Sequence, residues 1–470
     1  MAEYDFDLVI VGAGSGNMMP AEVYQGWRVA IAESGRFGGT CLNRGCIPSK
    51  MLVYTADVAR AVQEAGKFGI HAEFNGADWP AIRDRVFGRI DPQHDRAVEH
   101  RRGGGVAVFS GEARFAGPYA LRVGDDVLRS ERFVLATGSR PAIPEIPGLA
   151  QVPYVTSDDV MRLDALPGSM VVFGGGYIAA EISHIFGSLG TKVTIVTRGE
   201  RLLSRHDAAI SERFTDVYQS RFDVRLGARV DQVAATGNGI RAELTTPAGR
   251  QAAEGEVLLV ATGRVPNSDV LDVAAAGLAV DEHGHVKTDD TYATSVPGIW
   301  AFGDLANHFQ LKHMANAEAR LVGYNVLHPG EPRRASFPVV PAAVFADPQV
   351  ASAGATEQAL QARGRRYVAA TRDYSRTAYG WALQDTTGFV KVLADPDNRL
   401  LLGAHIIGPQ ASTLIQPLVQ AMCLGNTADE VASHVLYIHP ALSEVVEQAL
   451  LRLRGHGVTG SPAASALGPK

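Results

Sequence analysis

Asp7-Leu8-Val9-Ile10-Val11 runs straight into Gly12-Ala13-Gly14-Ser15-Gly16-Asn17, and a second apolar run from Val29 ends on Glu33. A short apolar run bounded by glycines reads as a fully buried strand. Small residues at 12, 14 and 16 let backbone approach a pyrophosphate, a helix start supplies unpaired N–H groups, and an acid about 20 residues on can take a ribose hydroxyl. The segment therefore predicts a strand, a phosphate-binding turn and a helix through Tyr24. Asn17 stands where a third glycine is usual, which should loosen the packing of that helix on its strand.

The pattern returns later in the chain. Met170-Val171-Val172-Phe173 leads into Gly174-Gly175-Gly176-Tyr177-Ile178-Ala179, and a strand over 192–196 follows. Each unit has a further echo: Phe133-Val134-Leu135-Ala136-Thr137-Gly138 precedes Arg140-Pro141, and Leu258-Leu259-Val260-Ala261-Thr262-Gly263 precedes Arg264-Val265-Pro266. Two copies in the same order imply two nucleotide cofactors and make redox chemistry the leading class. The acid expected at the second ribose is missing, because that strand ends in Thr197-Arg198-Gly199-Glu200-Arg201 with Arg205 just beyond. An Arg suits a 2′-phosphate and removes a repelling carboxylate, so NADPH is expected rather than NADH.

The 470 residues allow about three domains. Lys plus Arg is 44 against 50 Asp plus Glu, a net charge of -6 that offers no basic field to nucleic acid or an anionic membrane. Three cysteines are too few for a secreted disulfide framework, so a reducing cytoplasm is expected. Residues 1–7 carry no basic leader, and no apolar run reaches the ~18 residues of a spanning helix. From Phe337 the chain turns β-rich, with strands expected at 367–370, 389–393 and 400–407 and helices at 413–423 and 427–432. This third unit has no nucleotide fingerprint and reads as a packing or dimerisation domain. The charged stretch 83–102 reads as one solvated helix.

Cys41 and Cys46 lie just after the first fingerprint unit. Six residues with a central Gly45 can bring two sulfurs within bonding reach, and the helix expected over 47–58 places them near an electropositive start that lowers a thiol pKa. No further Cys or His cluster completes a metal site. Two inert buried cysteines are the bland alternative, and it leaves the two adjacent nucleotide units unused. Cys423, in an apolar helix over 415–424, reads as a buried bystander.

The stretch Gly38-Gly39-Thr40-Cys41-Leu42-Asn43-Arg44-Gly45-Cys46-Ile47-Pro48-Ser49-Lys50 resembles the redox-active disulfide motif of the class I pyridine nucleotide-disulfide oxidoreductases, the family of glutathione reductase and dihydrolipoamide dehydrogenase. Ala301-Phe302-Gly303-Asp304 resembles the family's second flavin segment, and His439-Pro440-Ala441-Leu442-Ser443-Glu444 its His-Glu element. The likeness covers about residues 5–453. It implies an α/β fold of two Rossmann-like units with a C-terminal α+β dimerisation domain: FAD on 1–155 and 276–336, NADPH on 156–275, the interface on 337–454, and a tail over 455–470 expected to be disordered. The resemblance places FAD on Gly12, Gly14, Ser15, Gly16, Glu33, Gly39, Thr40, Lys50, Thr137, Gly138 and Asp304. It places NADPH on Gly174, Gly176, Tyr177, Ile178, Glu181, Arg198, Arg205 and Gly263. By the same resemblance Cys46 lies next to the flavin, Cys41 attacks the substrate disulfide, and Lys50, paired with Glu181, lies beside the flavin N5. His439, oriented by Glu444, would come from the partner subunit and protonate the leaving thiolate, so a homodimer is implied.

Within the family, the Asn17 fingerprint, Val86-Phe87-Gly88-Arg89-Ile90-Asp91 and Tyr379-Gly380-Trp381-Ala382-Leu383-Gln384-Asp385-Thr386 resemble the branch that reduces mycothione, the disulfide of a cysteinyl-glucosaminyl-inositol thiol, to mycothiol. Glutathione disulfide reduction is the alternative on cofactor grounds. Dihydrolipoamide dehydrogenation is another, but it goes with NAD and an acid where Thr197-Arg198 stands. Mercuric and large thioredoxin reductases add C-terminal cysteines, and residues 455–470 have none. A flavin-binding structural subunit would not need Cys41, Cys46, Lys50, His439 and Glu444 together.

Overall fold

Leu8–Val11, buried along its whole length, is the middle strand of a five-stranded parallel sheet. Val29–Glu33 and Ala107–Ser110 extend it on one side, Phe133–Leu135 and Ile299–Ala301 on the other. Its strands are apolar without alternation because both faces of a parallel sheet are covered. The structure, a computed structural model, describes residues 4–455, and the tail expected to be disordered lies, from residue 456, outside them.

The second unit repeats the plan with four parallel strands in the order Asp223–Arg225, Lys192–Val196, Ser169–Phe173, Val257–Val260. The echo segments meet one another: Ser139–Pro141 pairs antiparallel with Arg264–Pro266 and joins the two units. One glycine per unit is required by close approach. Gly12 (φ +102°) and Gly174 (φ +132°) each press on a carbonyl, of Ala136 and Ala261 respectively, which a Cβ would strike.

The first unit departs from expectation after Gly16. No regular helix follows the first fingerprint; Gly16–Met18 and Ala21–Tyr24 are separate 3-10 turns. Pro20 forces Met19 into an extended conformation (ψ 153°) and breaks the run. Asn17 is pinned by Arg101, which donates to its Oδ1 (2.6 Å) and carbonyl (2.7 Å) and stacks 3.8 Å over the Tyr24 ring. The stretch 83–102 also differs. It is two helices, Trp79–Ile90 and Pro92–Gly103, and the first buries Trp79, Val86, Phe87 and Ile90, so one face of the expected solvated helix is core. Pro92 suits the first turn of the second helix, where its missing N–H costs nothing.

The third unit is a five-stranded antiparallel sheet in the order Ala342–Val344, Val350–Gly354, Leu401–Ile407, Phe389–Ala394, Val368–Asp373. Helices Gln416–Leu424, Ala428–His434 and Ser443–Arg452 share its apolar core. Cys423 is exposed, not buried as expected. The Gln416–Leu424 helix buries Leu418 and Ala421, and two residues past Ala421 is a turn of ~200° toward the outside.

A buried charge cluster ties this unit to the second. Asp207, fully buried, accepts from Lys391 Nζ at 2.6 Å and from the Glu357 N–H at 2.9 Å. Burial alone pushes the Asp207 carboxyl up, but these hydrogen bonds outweigh it and hold the carboxyl below its ordinary 3.8. A depressed carboxyl adds stability above its unfolded pKa and loses it as pH falls through the folded value. Lys391→Met leaves Asp207 charged and unpaired, and should cost about 3–5 kcal/mol of unfolding free energy at neutral pH. The deficit should shrink below pH ~4 as Asp207 takes a proton. Urea unfolding of parent and variant at both pH values checks this, and equal midpoints at neutral pH would dismiss the pair.

Candidate active site

The two thiols are presented by a helix break. Gly39–Arg44 ends at Gly45, and Cys46 is the first residue of the long helix Cys46–Gln63. A Cβ on Gly45 would press on the Thr40 carbonyl at 2.9 Å, so glycine permits the tight passage between them. Asn43, buried beneath, donates through Nδ2 to the carbonyls of Phe37 (3.0 Å) and Gly39 (3.0 Å) and fixes the loop that carries Cys41. The two thiols share a hydrogen bond. It holds the Cys46 thiol down to about 7, with the Lys50 ammonium helping against burial, while the Cys41 thiol, as donor, is pushed far up. Cys46 thus ionises first.

The Cys46–Gln63 helix lies against Tyr177–Ser188 of the second unit. Buried His184 is 2.8 Å from Asp57, and Trp79 packs on Phe186 with ring centroids 5.0 Å apart. This packing brings Lys50 to Glu181. Lys50 Nζ donates to both carboxylate oxygens, at 2.7 and 2.6 Å, Glu181 also accepts from the Phe345 N–H of the third unit at 3.0 Å, and Nζ stands 4.5 Å from the centre of the Phe345 ring.

A single cavity of about 1290 Å³ runs through this point. At one end it is walled by Gly12, Gly14, Ser15 and Glu33, then by Gly39, Thr40, Thr137, Gly138 and Asp304. In the middle stand Cys41, Cys46, Lys50, Tyr177, Ile178 and Glu181, and Arg205 marks the far side. Gly16, Gly174, Gly176 and Gly263 do not line it: Gly16 is buried, Gly174 half-buried, Gly176 and Gly263 exposed, and Arg198 is exposed at the strand end outside it. His439 and Glu444 are not in the cavity of their own chain.

The first end fits a flavin dinucleotide. A Cβ on Gly39 would meet the Gly14 backbone at 2.7 Å, which leaves a smooth cradle for a pyrophosphate. Glu33 Oε2 accepts from the Ala13 N–H at 2.6 Å, within the turn where a ribose diol would bind, and Ser139 donates to Asp304 at 2.7 Å. Thr137 Oγ1 is buried without a hydrogen-bond partner among the described residues, a group a ligand would satisfy. The second fingerprint opens the Tyr177–Ser188 helix with no side-chain cap, so its first N–H groups are free for a phosphate.

His439 is largely exposed, and its Nδ1–H donates to Glu444 Oε1 at 2.8 Å; that hydrogen bond holds the Glu444 carboxyl below its usual range. The preceding Val435, Leu436 and Ile438 are exposed apolar side chains, Leu436 almost completely. Sequence reasoning missed three supporting residues. Arg264 donates to Ser139 (2.8 Å), which orients Asp304; Glu318, buried, accepts from the Gly303 N–H (2.8 Å) and Tyr292 (2.9 Å) and shapes the same loop; Lys312 lines the cavity. Each acts across more than a hundred residues or from a helix interior, where no local pattern flags it.

Comparison with known proteins agrees with this geometry. The chain matches the pyridine nucleotide-disulphide oxidoreductase model over residues 6–319 and that family's dimerisation domain over 340–450. It is 44% identical over 460 residues to mycothione reductase of Mycobacterium tuberculosis, covering 96% of this chain and 99% of the relative. It is 34% identical over 455 residues to glutathione reductase of Burkholderia cepacia, covering 94% and 98%. Among solved structures, the HOCl-induced flavoprotein disulfide reductase RclA of Escherichia coli superposes with a TM-score of 0.83 at 26% identity, covering 95% of this chain and 99% of that one. Among the described residues no helix is long and apolar enough to cross a membrane. With its paired thiols set between two nucleotide units, and the match running through the third, the chain belongs to the pyridine nucleotide-disulphide oxidoreductases, FAD- and NAD(P)H-dependent enzymes.

Proposed function

We propose that the enzyme uses NADPH to reduce mycothione to mycothiol through Cys41 and Cys46. The observation that carries the reaction is the thiol pair in the wall of one cavity that reaches both nucleotide units. The substrate rests on the 44% identity to a mycothione reductase along nearly the whole of both chains, ten points above the glutathione reductase. Arg198 and Arg205 are assigned to the 2′-phosphate.

Bound flavin would supply the relay that turns a hydride from nicotinamide into an electron pair, which reduces the Cys41–Cys46 disulfide to the two thiols. The chain's own residues do the rest. Cys46, low in pKa and beside Lys50, holds the thiolate at neutral pH. Cys41 gives its proton to Nε2 of the partner subunit's His439, and its sulfur attacks one sulfur of the substrate: the Cys41–substrate bond forms, the substrate disulfide breaks, and one thiolate leaves with the electron pair, to be protonated by the same imidazole. The partner subunit's His439 gives that thiolate a proton, with Glu444 holding the imidazole Nδ1 so that Nε2 faces the substrate. The Cys46 thiolate then attacks the Cys41 sulfur, closing the internal disulfide and releasing the second half of the substrate as a thiolate, which takes its proton from solvent. That His439 lies outside the cavity of its own chain supports its service across the dimer.

Three expected outcomes test this reading. Steady-state turnover should favour mycothione over glutathione disulfide and lipoamide by ~100-fold or more in kcat/KM; turnover of glutathione disulfide without mycothione overturns the substrate. Arg198→Ala and Arg205→Ala should each raise the KM for NADPH by about tenfold, the size of one charge-assisted hydrogen bond, with little change for NADH. Equal effects on both nucleotides reject the assignment. Mixing inactive Cys41→Ser and His439→Gln subunits should restore activity, because one of the two sites in the mixed dimer is then complete. No recovery in a verified mixed dimer places His439 in its own chain's site.

A further inference from the structure

The first glycine turn lacks the device with which such turns usually hold a pyrophosphate. The second fingerprint opens a regular helix, Tyr177–Ser188, but the first is followed only by the 3-10 turns Gly16–Met18 and Ala21–Tyr24. No run of aligned peptide dipoles therefore stands behind Gly12–Gly16. The acids of this cavity end enlarge the deficit, because Glu33 and Asp304 both line it.

A side-chain cation stands in that place. Lys312, the first residue of the helix Lys312–Leu327, donates through Nζ to Ser15 Oγ at 2.9 Å. Ser15 Oγ in turn donates to Asn316 Oδ1 at 3.2 Å, one turn along the same helix, so the hydroxyl is oriented from both sides. Gly14, Ser15, Lys312 and Asn316 all line the cavity. The position is an unfavourable one for a lysine: a helix start opposes a positive charge, and burial pushes the ammonium pKa down. Asp304 and the thiols favour the ammonium electrostatically, yet among the described residues no carboxylate forms an ion pair with it.

The other cations of the cavity wall are committed elsewhere. Lys50 is held by Glu181, Arg44 by Asp158 at 3.1 Å and Arg140 by Asp269 at 2.7 Å, while Arg264 donates to Ser139 and Arg205 marks the far side. Arg101 meets the turn at Asn17, but it is stacked on Tyr24 and does not line the cavity. Among the described residues Lys312 is the one cation of the wall that is bonded to the glycine turn.

We propose that Lys312, positioned by Ser15 and Asn316, binds the pyrophosphate of the flavin dinucleotide and supplies from a distant helix the positive charge that a regular helix start would supply behind the turn. An anion cradled by Gly14 and Ser15 has the ammonium as its neighbour, and its charge offsets both effects that oppose Lys312 in the resting chain. This rests on the fit of the first cavity end to a flavin dinucleotide and is independent of which disulfide the enzyme reduces.

The test is rebinding of FAD to the full-length chain stripped of flavin, with ADP and adenosine measured as competitors of that rebinding. Lys312→Met should weaken FAD and ADP alike by ~10-fold or more, the size of one charge-assisted hydrogen bond, and leave adenosine unchanged. Lys312→Arg should restore most of both. ADP carries two phosphates but no flavin ring, so a loss confined to FAD places Lys312 against the ring and overturns the proposal. An unchanged FAD affinity overturns it as well. So does an equal loss of adenosine affinity, or a failure of arginine to rescue, since either marks damage to the turn rather than a missing charge. Where Lys312→Met does not fold, Lys312→Gln, which keeps a polar group but not the charge, is read by the same outcomes.

Discussion

The Lys50–Glu181 pair is the contact on which the arrangement of the molecule depends. Lys50 comes from the first unit, Glu181 from the second, and the Phe345 N–H that completes the carboxylate's hydrogen bonding from the third. A partly buried ion pair repays its desolvation only when geometry is good and the remaining lone pairs are met. Here both oxygens are used and the Phe345 ring covers Nζ. The pair therefore works as a register pin. It sets the helix that begins at Cys46 against the helix that begins at Tyr177, so the two nucleotide units open onto one cavity that the thiols line.

The two units achieve the same strand-end geometry by the same device, a positive-φ glycine pressed on the carbonyl of the neighbouring strand's exit. They part company one turn later. The second unit keeps a helix whose free N–H groups suit a phosphate, while the first, broken at Pro20 and tied to Arg101 through Asn17, has only short turns there. Whatever positive potential the first turn presents must come from side chains, and Lys312 on Ser15 is the cation in place.

Much of the architecture was legible because it is periodic or local. Two glycine fingerprints, buried apolar strands and the Cys41 to Lys50 stretch are each read within about a dozen residues. What failed, failed where distant partners decide. In sequence Asn17 implies a loss of packing, whereas its partner is Arg101, 84 residues away. The apolar character of its helix implies a buried Cys423, but composition does not say which face of a helix meets a core. Lys312 meets Ser15 across 297 residues, which no window of sequence can join.

The segment around His439 leaves apolar surface uncovered. Val435, Leu436 and Ile438 leave three large apolar side chains in water immediately before a histidine already oriented by Glu444. An oriented imidazole with nothing to act on, next to apolar surface that gains by being covered, fits a chain that carries a dimerisation domain. On the proposed mechanism the same docking that buries the apolar side chains delivers the proton donor to Cys41 of the other subunit. Assembly and catalysis then share one free-energy source. The asymmetry of the thiols fits that order. Cys46, ionised within its own chain by Cys41 and Lys50, is ready for the cofactor before any partner residue is involved. Cys41, whose proton is held far more tightly, must wait for an outside base.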